Sequence, residues 1–231
     1  MTLTDISERK KSEQALALQA QALERSNGDL RQFTYAVSHD LREPARILAI
    51  YSQLLEKHYK GKLDRHADEF IQHTVHAAHR LEGLLDDLLT YTQTAESPQT
   101  ENSRVDANVA LSLTLKMFET RLEETGACVT NDPLPVLRMH EVHVQQLFQN
   151  LIGNSLKYRR DEALKIHVSA REDKGMWILG VADNGIGIDP QYGQQIFGLF
   201  KRLHGGGKYA GSGIGLAICH KIVERRRPHL G

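Results

Sequence analysis

Leu16, Leu23, Leu30 and Val37 recur every seven residues, and Ala20, Asn27, Thr34 and Leu41 follow them by four. That alternation of four and three is a coiled-coil seam, with the first set at d and the second at a. It predicts one long helix over residues 8–58 that pairs with a second copy in parallel. Asn27 is then the polar a residue that fixes register at some cost in stability. An amphipathic helix packed on its own domain is the competing reading. Residues 59–64 form a short polar turn containing Gly61, and a second helix follows as far as Gln93. Its stripe is Phe70, Thr74, Ala77, Leu81, Leu84, Leu88 and Tyr91. Two helices joined by a short turn make an antiparallel hairpin, and two hairpins paired through their stripes make a dimeric four-helix bundle.

Residues 94–104 are polar and aperiodic, which predicts a linker and a domain boundary. Beyond it the pattern changes. A helix is expected over 107–124, then an extended stretch with Pro133 and Pro135, then a helix over 140–158. Ile166, Val168 and Ala170, then Trp177, Leu179 and Val181, alternate as in half-buried strands. They predict strands over 164–171 and 176–182, joined by a turn at 172–175. A glycine-dense region around 205–215 leads into a last helix over 213–227. The order is α+β, helices covering a mixed or antiparallel sheet, with no internal repeat.

Formal net charge is zero across 231 residues, which argues against a general nucleic-acid or membrane-surface binder. Arg225-Arg226-Arg227 is too short a basic run to change that. No apolar stretch reaches the roughly 20 residues that span a bilayer. The polar, charged N-terminus does not resemble a signal peptide. Cys128 and Cys219 are far apart and unpaired in pattern, so both are expected as buried free thiols in a reducing, cytoplasmic setting.

Four constellations carry candidate chemistry. In Ser38-His39-Asp40-Leu41-Arg42-Glu43-Pro44, His39 takes heptad position f and points into water. Asp40 beside it can hold one ring proton and leave the other nitrogen nucleophilic. Pro44 removes a helical hydrogen bond one turn on. A solvated surface histidine is the plain alternative. Asn150, Asn154 and Lys157 share one helix face, beside Tyr158; a carboxamide oxygen can ligate Mg²⁺ and a lysine can neutralise phosphate. Asp183-Asn184-Gly185-Ile186-Gly187 follows a strand. There Asp183 can accept from the exocyclic amine of adenine, and the glycines admit a flat base, although the same residues also make a plain turn. Gly211, Gly213 and Gly215 precede a helix start, where free N–H groups favour phosphate oxygens. Between the last two lies a segment able to act as a lid, with Lys201, Arg202 or Lys208 reaching a terminal phosphate.

In order and spacing these residues resemble the H, N, F and two G boxes of the sensor histidine kinase family, over residues 30 to 224. The resemblance implies a phosphoacceptor hairpin joined to an ATP-binding two-layer α/β sandwich of the type shared with gyrase and Hsp90. It implies domains at 1–29 (sensor exit and coiled-coil linker), 30–93 (dimerisation and phosphoacceptor) and 105–231 (ATP binding), with 94–104 as linker. His39 matches the phosphoacceptor and Asp40 its acidic neighbour. Asn154 matches the Mg²⁺ ligand, with Asn150, Lys157 and Tyr158 beside it. Asp183 matches the adenine-reading aspartate, and Gly185, Gly187, Gly211, Gly213 and Gly215 the nucleotide-loop glycines. ATP and Mg²⁺ are the implied cofactors. A second copy and the receiver domain of a response regulator are the implied partners. Residues 3–10 resemble the last strand and exit of a PAS sensor, which adds an upstream sensor domain.

Two departures stand out. Glu43 occupies the position where many members carry the Thr or Asn that positions water for phosphatase activity, and its carboxylate is expected to repel the phosphoaspartate instead of polarising that water. Members also continue past the last helix with His-Gly-Gly and two more strands, whereas this sequence ends Pro228-His229-Leu230-Gly231, so a shortened sheet is expected. His73, His76 and His79, and His140 with His143, are read as solvated or packing residues rather than metal ligands. Beside an active kinase stand two other readings: a dimerising module that has lost activity, and an ATPase of the gyrase type. The acceptor histidine on a hairpin argues against the second, because those enzymes attack with water.

Overall fold

The computed structural model describes residues 3–96, 103–203 and 211–224. The chain divides into two units, Met1–Thr92 and Gln93–Gly231. The first is a helical hairpin of α1 (Leu3–Tyr59) and α2 (Arg65–Glu96). Asp64 caps α2 by accepting from Ala67 N at 2.8 Å, and Asp68 closes the turn by accepting from Gly61 N at 3.0 Å. Ser38, Ala45, Ala49 and Ser52 are the buried face of α1; Val75, Ala78, Leu85 and Leu89 are buried on α2. The two buried hydroxyls bond within their own helix, Ser38 to Thr34 O at 2.7 Å and Ser52 to Leu48 O at 2.6 Å, so neither is left unsatisfied. Polar bridges span the antiparallel pair: Arg42 to Asp86, and Gln53 to His79.

The seven-residue stripe lies elsewhere. Leu16, Leu23, Leu30, Val37 and Leu41 are all exposed on α1, as are Phe70 and Leu81 on α2. The seam therefore faces away from the hairpin's own core. One reading of the sequence is overturned here: residues 3–10 are the first turns of α1, not a strand. A strand needs a hydrogen-bonded neighbour, and no described strand pairs with this segment.

The second unit begins with β1 (Arg104–Asp106), which pairs antiparallel with β3 (Val136–Arg138). Asp106 caps α3 (Ala107–Met117), and the side-chain amide and backbone N–H of Asn108 hold its carboxyl below the usual range. The helix expected over 107–124 is two: α3 stops at Phe118 and α4 runs Glu119–Thr125. Phe118 turns its ring toward α5 (Glu141–Lys157) and lies beside Gly153. A three-stranded sheet has the order β2 (Cys128–Asn131), β4 (Lys165–Asp173), β5 (Met176–Asp183), with β2–β4 parallel and β4–β5 antiparallel. Leu111, Val144, Phe148, Ile152 and Leu156 from the helices meet Leu164, Ile166 and Val168 from the sheet in one core. This is the two-layer α/β arrangement expected from the sequence. The last helix, α6, spans Gly215–Glu224.

Two further expectations change. Residues 94–96 belong to α2, and β1 starts at Arg104, so both ends of the expected linker are structured. Cys128 is exposed on β2, a sheet-edge strand, whereas Cys219 is buried. Among the described residues no helix is long and apolar enough to cross a membrane.

Candidate active site

In the first unit His39 stands on the outer side of α1 with 67% of its side chain exposed. Its Nδ1 lies 3.2 Å from Asp40 Oδ1. The Tyr35 ring, one turn earlier, lies 6.5 Å from the imidazole at an interplanar angle of 25°, a neighbour the sequence reading did not single out. Pro44 lies inside α1 and cannot donate to the Asp40 carbonyl, which loosens the ladder at the same turn. Glu43 accepts from Arg46 Nη2 at 2.9 Å.

In the second unit a cavity of about 390 Å³ opens between α5, the end of β5, the segment 196–203 and the first turn of α6. Asn154, Tyr158, Asp183, Gly187, Lys201 and Arg202 line it. Between them lies an apolar wall of Leu151, Val181, Ile186, Ile188, Ile196 and Leu216, suited to a flat ring. Asp183 is held from two sides. Ser155 Oγ donates to Oδ2 at 2.7 Å, and Gly185 N donates to Oδ1 at 2.8 Å. The carboxylate is thereby aimed before any ligand arrives. Ser155 was not singled out from the sequence, where it reads as an ordinary small helix residue.

Gly185 is where close approach excludes a side chain: a Cβ there would meet Tyr158 O at 2.7 Å. Ile186 N donates to that same Tyr158 carbonyl at 3.0 Å, tying the loop to the end of α5. Asn184 is structural. It accepts from Lys165 N at 2.8 Å and donates to Ala163 O at 3.0 Å, so β5 ends in a fixed direction.

The other residues surround this cavity without lining it. Lys157 Nζ lies 4.6 Å from the Tyr158 ring centroid and close behind Gly211. Asn150 turns its carboxamide toward Gly215, where a Cβ would come within 2.7 Å of its Oδ1, and also bonds to the Cys219 thiol. Gly213, at φ +77°, packs on the backbone of Phe200 and Lys201. Lys208 lies outside the described residues. His79 bonds to Gln53 and lies 3.4 Å from Glu82, and His140 and His143 meet edge to face.

Two family models match the chain in tandem. The His Kinase A (phospho-acceptor) domain covers residues 29–96, and the histidine kinase-, DNA gyrase B- and HSP90-like ATPase covers residues 139–229. Cyanobacterial phytochrome A of Nostoc sp. is 44% identical over 92% of this chain. The sensor protein kinase WalK of Staphylococcus aureus is 30% identical over 84% of it. The chain spans 28% of the former and 48% of the latter. Among solved structures, full-length ShkA in complex with AMPPNP superposes with a TM-score of 0.61 at 25% identity, over 84% of this chain and 40% of that one. The Acinetobacter baumannii histidine kinase AdeS shares the fold with a TM-score of 0.52 at 24% identity, over 80% of this chain and 86% of that one. A hairpin that presents a histidine, followed on the same chain by a gyrase-like ATPase sandwich, is the arrangement of one family, and this chain belongs to it: the sensor histidine kinases.

Proposed function

We propose that the chain is the kinase core of a two-component sensor: it binds Mg-ATP in the cavity of the second unit and phosphorylates its own His39. The observation that carries this is the state of His39, exposed and with Nδ1 against Asp40. With its proton held at Nδ1 by that carboxylate, the ring keeps a lone pair on Nε2 facing solvent. Nε2 attacks the γ-phosphorus, the N–P bond forms, and the bond to the β-phosphate oxygen breaks with its electron pair leaving on ADP. Asp40 steadies the positive charge that develops on the ring, as a charge-assisted hydrogen bond does.

In the second unit Asp183 offers acceptor lone pairs to the exocyclic amine of adenine, and the apolar wall takes the faces of the base. Lys201 and Arg202 also line the cavity and bring positive charge for the phosphates. The donor set fits Mg²⁺ as well. Asn154 brings a carboxamide oxygen to the cavity and would hold the ion there. When bound, it would screen the triphosphate charge.

The exposed seam from Leu16 to Leu41 supports a homodimer, since a stripe of that length left in water is unfavourable. We assign the next step to an aspartate of a response-regulator receiver, and signal input to an upstream PAS-type sensor acting through α1. Purified protein incubated with γ-labelled ATP and Mg²⁺ tests the core reading. Label that is acid-labile and base-stable supports it; no label at all sinks it.

A further inference from the structure

Arg42 lies one turn beyond His39 on α1, and Asp86 of α2 holds its guanidinium across the hairpin. Nε and Nη2 donate to the same oxygen, Asp86 Oδ1, at 3.0 and 2.7 Å. The next cation along, Arg46, is joined to Glu43. Side chains three apart on a helix are neighbours, about 5–6 Å between Cβ atoms, so Arg42 can reach a group attached to the His39 ring. Both members of the Arg42–Asp86 pair are about half exposed, at 49% and 61%. Water and salt screen such a pair, so it is weak and exchangeable.

A phosphoryl group on His39 adds nearly two negative charges beside Asp40, which lies 3.2 Å from the ring, with Glu43 one turn on. That concentration of negative charge favours a cation. A guanidinium fork binds phosphoryl oxygens more strongly than it binds one oxygen of an exposed carboxylate.

Resting on the kinase reading above, we propose that Asp86 is a positioning residue for phosphoryl transfer: it holds the Arg42 guanidinium beside His39 and yields it to the phosphoryl group once the N–P bond has formed. The exchange breaks and makes only hydrogen bonds. No proton or electron moves beyond those of the transfer itself. Asp86 thus competes with the product. It keeps the phosphohistidine less stable than Arg42 alone would make it, and so better able to pass its phosphoryl group on.

The test uses the full chain as wild type, Asp86→Asn, Arg42→Gln and the double variant. Each is labelled with γ-labelled ATP and Mg²⁺ and brought to equilibrium with a fixed excess of ADP. Asp86→Asn should raise the ratio of phosphorylated to free His39 about two- to fivefold, the worth of an exposed ion pair. Arg42→Gln should lower it roughly tenfold, the worth of one charge-assisted hydrogen bond. The double variant should match Arg42→Gln. A ratio that Asp86→Asn leaves unchanged or lowers, or still raises without Arg42, overturns the proposal. A second arm phosphorylates the histidine directly with phosphoramidate and follows the phosphohistidine half-life, which should rank in the same order. Wild type that takes phosphate from phosphoramidate and none from ATP would overturn the kinase reading, while the half-lives would still decide the role of Asp86.

Discussion

Ser155 on α5 donates its hydroxyl to Asp183 at the end of β5, 2.7 Å away, and this bond joins the helical layer to the sheet at the rim of the cavity. With Gly185 N on the other oxygen, each carboxylate oxygen uses one lone pair inside the protein and keeps one for a ligand. Asp183→Asn should therefore preserve the fold. An asparagine can still accept from Gly185 N, and its amide can donate to the Ser155 hydroxyl. What it loses is an acceptor facing the adenine amine. A hydrogen bond to a charged acceptor is worth roughly 1.5–3 kcal/mol, so ATP affinity should fall about ten- to a hundredfold. Calorimetry that finds unchanged affinity, at an unchanged melting temperature, would take Asp183 out of the site.

His39→Gln should abolish autophosphorylation and leave ATP binding as it is. The side chain is two-thirds exposed and, among the described residues, meets Asp40 and the Tyr35 ring on its own helix, so little of the hairpin depends on it. Glutamine keeps a polar, helix-compatible side chain there and has no nucleophilic ring nitrogen. Persistent acid-labile label on the variant would mean that another residue accepts the phosphoryl group.

The parts legible in the sequence are those with a long period. The stripe from Leu16 to Leu41 marks α1 because one spacing repeats over several turns. Ile166 to Val181 marks β4 and β5 because alternation continues on both sides of a two-residue turn at Lys174-Gly175. The parts missed are short or depend on distant partners. β1 and β3 have three residues each, too few to show a period, and exist through pairing with one another. Phe118 breaks the helix between α3 and α4, and its ring lies against Gly153 of α5, a contact invisible along the chain. The site shows the same division. Asp183 and the glycines announce themselves by type and spacing, whereas Ser155 is functional only through a strand 28 residues later. Asn150 shares a helix face with Asn154, yet α6 covers it, and α6 is nowhere near in sequence.

Gly213→Ala should damage the nucleotide site more than its one methyl suggests. The residue sits at φ +77°, where an L side chain is strained by roughly 1–2 kcal/mol. Its Cβ would also meet Lys201 O at 2.9 Å and the Phe200 carbonyl carbon at 3.0 Å, both backbone atoms that cannot swing away. The segment carrying Lys201 and Arg202 must then move from the cavity wall. Weakened ATP binding with intact helical content from the hairpin is the expected pattern. Wild-type ATP affinity in the variant would show that the glycine loop and the 200–202 segment need not pack together for binding.

The two cysteines should behave oppositely, and one of them makes stability depend on alkaline pH. Burial pushes the Cys219 thiol from its ordinary 9.0 up to about 12, against a smaller opposing effect of its hydrogen bond with Asn150. The folded chain thus prefers the protonated thiol more than the unfolded chain does. That contribution is complete below pH 9 and is lost as pH rises from there toward 12. The slope can reach about 1.4 kcal/mol per pH unit. Tyrosines and lysines titrate in the same range, so the informative quantity is a difference. Unfolding free energies of wild type and Cys219→Ala should diverge by a constant below pH 9, reflecting the lost packing, and converge progressively above it. Under native conditions below pH 9, iodoacetamide should modify the exposed Cys128 alone, with Cys219 reacting only once the second unit is unfolded. Two equivalents of rapid modification in the native protein, or a free-energy difference independent of pH up to 11, would place Cys219 in contact with water and remove the packing of α6 on α5 that encloses it.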